Sequence, residues 1–140
     1  MAKLPALPPP PKPSAPITPA WHLGASGYEG AELERQAARA SMVIYFQRRK
    51  CDACRRFEHE VLAAPEVRAF LSAVVKVRVD PDDGAPERKL AERFGVGGVP
   101  AVAVVSTHGP PRPGAFVPAP TGGLQSMRPA FKSTAPPRCA

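Results

Sequence analysis

Three short β-rich runs, two of them apolar without a break, separated by stretches with helical spacing, restrict this chain to an α/β fold. The runs are Met42–Phe46, Val74–Val79 and Ala101–Val105. Met42–Phe46 is apolar without a break and rich in β-formers, the pattern of a strand covered on both faces. Ahead of it, Glu29–Ala40 is dense in Ala, Glu, Leu and Arg, all good helix formers, with Gly30 near its start. After it, Cys54, Phe57, Val61 and Ala64 recur at steps of three and four and make one apolar stripe. Pro65 interrupts that stripe and can open a further helical turn carrying Val67, Phe70 and Leu71, because proline is tolerated at a first helical position. Asp80-Pro81-Asp82-Asp83-Gly84 is a turn, Pro86–Phe94 a third helix, and Gly95–Pro100 a break before the last run. The order helix, strand, helix, strand, helix, strand implies a sheet with a parallel component.

The prolines set the limits of that fold. There are 20 in 140 residues, crowded towards the two ends, so the folded part is smaller than the chain. Residues 1–20 are expected to be a disordered proline-rich segment. The Pro8–Pro11 run favours extended polyproline II, as a spacer or as a ligand for an SH3-type domain. Residues 21–118 form the expected domain, and roughly 100 residues bury a working core without staples. Ala115–Val117 offers one short strand, no amphipathic helix follows, and residues 119–140 are expected to be a flexible tail.

Charge and cysteine usage narrow the function classes. Lys and Arg number 19 against 12 Asp and Glu, a net charge of +7. Aromatic residues make up 6% and do not interleave with the basic ones, which argues against a stacking surface for nucleic acid. Three cysteines are too few for a disulfide scaffold. No window approaches the roughly 20 apolar residues of a membrane helix. Met1-Ala2-Lys3-Leu4-Pro5 leads into prolines rather than an apolar core, so no secretion signal is read and a cytoplasmic location is expected.

The chemistry resides in Cys51-Asp52-Ala53-Cys54, between a strand and a helix. A helix N-terminus presents unpaired N–H groups and the positive end of the dipole, and both stabilise a thiolate, the nucleophile of disulfide exchange. Cys51, at the helix start, is assigned as the attacking thiol, and Cys54, one turn inward on the apolar stripe, as the resolving thiol. Arg48, Arg49 and Lys50 precede the motif and Arg55 and Arg56 follow it. Lys50 and Arg55, the nearest cations, are assigned as thiolate-stabilising. The competing reading is a zinc pair, which needs further ligands from His22, His59, His108 or Cys139.

Taken together, Met42–Phe46, Cys51-Asp-Ala-Cys-Arg-Arg-Phe-Glu58, the strand ending in Val79-Asp80, and Phe94-Gly-Val-Gly-Gly-Val-Pro100 resemble the thioredoxin superfamily. The nearest likeness is to the thioredoxin-like C-terminal domain of thiol:disulfide interchange proteins, over Trp21 to Ser106. The resemblance implies a mixed central sheet with flanking helices and a cis Val99–Pro100 bond facing the cysteines. It also implies that Val99 and Pro100 pair with an extended substrate segment. This chain departs from the pattern at several points. Lys50 stands where tryptophan is usual. Tyr45 stands six residues before the first cysteine, where thioredoxins proper bury an aspartate that accepts the second cysteine's proton. Ala101 replaces a threonine, and the last strand and helix of the fold are weak or missing. The expected activity is thiol–disulfide oxidoreduction on protein cysteines by a monomer. It needs no cofactor or metal, and an external thiol donor or acceptor supplies the turnover. The alternatives are a redox-inactive binding module of the same fold and a metal carrier using Cys51, Cys54 and His59 or Cys139.

Overall fold

The computed structural model describes residues 12–105. The Pro8–Pro11 run, the Ala115–Val117 strand, His108 and the tail with Cys139 lie outside the described residues.

Four strands and four α-helices alternate along the described chain: β1 (His22–Leu23), α1 (Gly24–Ala38), β2 (Met42–Phe46), α2 (Asp52–Phe57), α3 (Pro65–Leu71), β3 (Val75–Val79), α4 (Ala85–Arg93) and β4 (Ala101–Val105). One π-helical stretch, Glu58–Leu62, continues α2 towards α3. The sheet order is β1-β3-β2-β4. β1 and β2 run parallel to β3, and β4 runs antiparallel to β2 with Phe46 opposite Ala101. Among the described residues, β4 has no further strand on its outer edge.

Alternate side chains of each strand feed two cores. Met42, Ile44 and Phe46 join Val75, Val77 and Val79 beneath Tyr28 and Ala31 of α1 and Leu90 of α4. Val43 and Tyr45 join Val102 and Val104 beneath Phe57, Val61, Val67 and Phe70 from the α2–α3 layer. Every residue of β2 and β4 is buried, which is why both read as continuous apolar runs.

Three features differ from the expectation. First, α1 begins at Gly24, not Glu29. Leu23 gives it no side-chain cap. Instead Glu87 of α4 accepts the Ala25 N–H at 2.9 Å, a cap 62 positions away in sequence. α1 folds back closely over β1 there: a Cβ on Gly27 would lie 3.0 Å from the His22 carbonyl carbon. Second, β1 precedes that helix. Two residues carry no periodicity, and this strand exists through its pairing with Val77 and Arg78.

Third, residues 12–20, expected to be disordered, are docked as a strap. The Ser14 N–H and hydroxyl both donate to the Ala38 carbonyl, at 2.8 and 3.0 Å. Ile17 packs on the first core. The Thr18 N–H and hydroxyl each donate to a Glu34 carboxylate oxygen at 2.7 Å. Burial works to raise the Glu34 pKa. The two Thr18 hydrogen bonds and the neighbouring His22 outweigh it and hold the carboxyl below its ordinary value of 4.5. A carboxyl held low in the folded state stabilises the fold above its unfolded pKa, and that contribution is lost as pH falls through the folded value. Glu34→Ala is therefore expected to lower stability by about 1 kcal/mol at pH 7. Chemical denaturation at pH 7 and pH 3 should show the deficit shrinking in acid. An equal deficit at both pH values would mean that the strap does not depend on the charged carboxylate.

Candidate functional site

β2 delivers the chain to the site. It ends at Phe46, and Gln47 still donates its N–H to the Val79 carbonyl at 3.0 Å, which fixes the loop that carries residues 48–50 to the head of α2. Cys51 is the extended N-cap residue, with φ −140° and ψ 101°. Its sulfur accepts the Cys54 N–H at 3.0 Å and its carbonyl accepts the Arg55 N–H at 3.1 Å. A cysteine here does what a serine or aspartate cap does, offering a side-chain acceptor to an orphan N–H. Cys51 and Cys54 are joined as a disulfide with their Cα atoms 5.1 Å apart. The two sulfurs differ in access: Cys51 is half-buried, whereas Cys54 is 1% exposed. Phe57, fully buried one turn on, pins the helix that carries the disulfide to the second core.

The position of the missing aspartate is filled in a way the sequence did not disclose. The Tyr45 hydroxyl lies 3.3 Å from the Cys54 carbonyl and 3.1 Å from Glu58 Oε2. Glu58 Oε1 in turn accepts from Arg78 Nη2 at 3.2 Å. Burial, and then the Glu58 charge, push the Tyr45 pKa far up, so the phenol stays a neutral donor. A half-buried carboxylate therefore stands one hydroxyl away from the Cys54 backbone carbonyl. It comes from the first residue of the π-helical stretch rather than from β2. Its three members sit on β2, the π-helical stretch and β3, so no local motif signals it.

The cations around the motif are mostly paired. Arg48 meets Asp82 at 3.1 Å and Arg49 meets Asp83 at 3.4 Å. Arg55 donates to Asp52 at 2.6 Å, and this hydrogen bond, with the Arg55 charge, holds the Asp52 carboxyl below the usual carboxylate range. Of the two expected thiolate-stabilising residues, Lys50 and Arg55, Arg55 is bonded to Asp52, and the hydrogen bond on the Cys51 sulfur comes from the Cys54 N–H. Lys50 instead borders a cleft with Arg48, Arg49, Asp82 and Asp83.

The Val99–Pro100 bond is cis. Pro100 is buried, and Val99 is half-buried against the first core. The β2–β4 register sets this pair level with the end of β2, the end at which the cysteine loop begins. His59 is exposed on the π-helical stretch, and His22 Nε2 faces Glu34 at 3.4 Å. Among the described residues, no group of three His, Cys, Asp or Glu could hold a metal ion, and no helix is long and apolar enough to cross a membrane.

Comparison with known proteins agrees with this geometry. The profile of a family described as thioredoxin-like matches residues 25–107. The chain is 34% identical over 88 residues to the thiol:disulfide interchange protein DsbD 2 of Pseudomonas aeruginosa. That match takes in 59% of this chain but only 15% of the relative. A thioredoxin from Thermus thermophilus superposes with a TM-score of 0.52 at 26% identity, over 61% of this chain and 65% of that one. The DsbH oxidoreductase superposes with a TM-score of 0.56 at 18% identity, over 81% and 84% of the two chains, a likeness of fold. With a Cys-x-x-Cys disulfide at the head of α2, the chain belongs to the thioredoxin-like family and is related to the thiol:disulfide interchange proteins.

Proposed function

We propose that the protein is a thiol–disulfide oxidoreductase acting on cysteines of other proteins. The observation that carries this reading is the asymmetry of the pair. The accessible Cys51 sulfur already accepts the Cys54 N–H at the helix N-terminus, and Cys54 is sealed beneath it. On reduction, the same N–H and the helix dipole stabilise a Cys51 thiolate.

As a reductant, the Cys51 thiolate attacks one sulfur of a substrate disulfide and forms a mixed disulfide, and the other substrate sulfur leaves as a thiolate. Cys54, deprotonated, then attacks the Cys51 sulfur. The Cys51–Cys54 bond closes and the second substrate sulfur leaves. Two electrons have passed to the substrate, and an external dithiol restores the enzyme. Every step reverses when the substrate is a dithiol. In this reading the backbone of Val99, next to Pro100 at the cysteine end of the sheet, pairs with an extended substrate segment.

A redox titration with alkylation and peptide mass mapping tests the reading. A single reversible two-electron transition confined to Cys51 and Cys54 is expected. A midpoint near about −270 mV marks a thioredoxin-like reductant, and one nearer about −120 mV an oxidant. Two cysteines that alkylate independently at every potential would remove the proposed activity.

A further inference from the structure

β3 reads Val-Lys-Val-Arg-Val, and only its valines enter the first core. Lys76 and Arg78 project onto the opposite face of the sheet, at the margin of the α2–α3 layer. There they line a cleft of about 500 Å³. Trp21, Leu62 and Leu71 supply an apolar wall, while Arg68, Lys76 and Arg78 face a single carboxylate, Glu58. The size lies in the range of small-molecule sites, and three cations against one carboxylate leave the lining net positive.

The donors in this cleft are not used up. Among the described residues, Arg78 Nε is buried without an acceptor, although Nη2 of the same group is bound to Glu58. Lys76 is 5% exposed, and its ammonium gives two of its three N–H groups to the Leu71 and Val74 carbonyls, at 2.9 and 3.2 Å. Buried donors of this kind normally have partners. Desolvation holds the Lys76 pKa low, against the opposing pull of the Glu34 charge. The Arg78 guanidinium lies over the Trp21 ring, 5.7 Å from its centroid, so its donors stand beside an aromatic surface. Arg68, exposed at the mouth, carries a charge with no ion-pair partner among the described residues.

We infer that this cleft binds a small amphipathic carboxylate, whose oxygens take the open N–H groups of Lys76 and Arg78 while its apolar body lies against Trp21 and Leu71. The site is distinct from the disulfide and does not rest on the exchange activity. The two share Glu58 and Arg78, which are bound to each other, and Arg78 also lies over the Tyr45 ring at 5.6 Å from its centroid.

The test uses the full oxidised chain. Trp21 is its single tryptophan, so fluorescence reports on the cleft wall directly. 4-Phenylbutyrate, uncharged 4-phenylbutanol and inorganic phosphate are titrated separately, with ¹⁵N spectra following the Trp21 indole and Arg78 Nε–H signals. The carboxylate is expected to saturate both signals and to bind about tenfold or more tightly than the alcohol, the effect of a charge-assisted hydrogen bond. Arg78→Gln should weaken it about tenfold. Arg68→Gln, on the surface and harmless to folding, should weaken it about threefold and reduce its salt dependence. Equal binding of acid and alcohol would mean an apolar groove without an anion site. Phosphate binding as tightly as the acid would mean a simple ion site. Either result overturns the inference, as would saturation that leaves Trp21 and Arg78 unmoved, or unchanged affinity in Arg68→Gln.

Discussion

Cys51→Ser is expected to reduce disulfide exchange to the uncatalysed background, a loss on the order of a thousandfold or more, because it removes the sulfur that forms the first covalent bond. Cys54→Ser should behave differently. Its Cys51 is still capped by the residue 54 N–H and still accessible, so the first attack proceeds and the mixed disulfide, with no resolving thiol beneath it, accumulates. Insulin reduction assays on both variants, with non-reducing electrophoresis to count trapped adducts, separate the two roles. Trapping by Cys51→Ser instead of Cys54→Ser would reverse the assignment. Equal activity of Cys51→Ser and the wild type would end it.

Phe57→Ala should be the most damaging single change to the fold. Phe57 is wholly buried in the second core, and its ring centroid lies 5.5 Å from that of Tyr45. Truncation leaves a cavity between α2 and the sheet, and such changes destabilise by about 3–5 kcal/mol. Domains of this size are stable by about 5–15 kcal/mol in total, so a large part of the folded population is at stake near physiological temperature. Urea unfolding should show a lower midpoint with an unchanged slope. A loss below about 1 kcal/mol would show that α2 is held chiefly by something other than this ring.

The parts of the structure legible in the sequence are those whose cause is local. Met42–Phe46 and Ala101–Val105 are strands over the same residues that the apolar runs mark, because burial on both faces leaves no polar position to blur the ends. The Cys-x-x-Cys pair was legible through its position between a strand and a helical stripe. What was missed has distant causes. The start of α1 is set by Glu87 on α4, and β1 by its pairing with β3. The strap over residues 12–20 is held by Glu34 and Ala38, and proline content alone does not reveal partners on another element. At the site, Glu58 reaches Tyr45 from the π-helical stretch, and π-helical turns often occur at functional positions. The basic flank of the motif is visible in the sequence, whereas the pairing of Arg48 and Arg49 with Asp82 and Asp83 depends on a turn 34 positions away. The alternation of Lys76 and Arg78 within β3 was the one overlooked local signal, and it marks the cleft.

The disulfide joins residues only three positions apart. A cross-link withholds conformational freedom from the unfolded chain in proportion to the logarithm of the loop it closes, and a loop this short withholds little, about 2 kcal/mol on the chain-entropy model against nearly 5 for a hundred-residue loop. The two cores and the sheet lie outside that loop and do not depend on it. Opening the bond therefore leaves the architecture standing. Here the linkage serves as a reversible store of two electrons rather than as a rivet, and the fold can tolerate its repeated making and breaking.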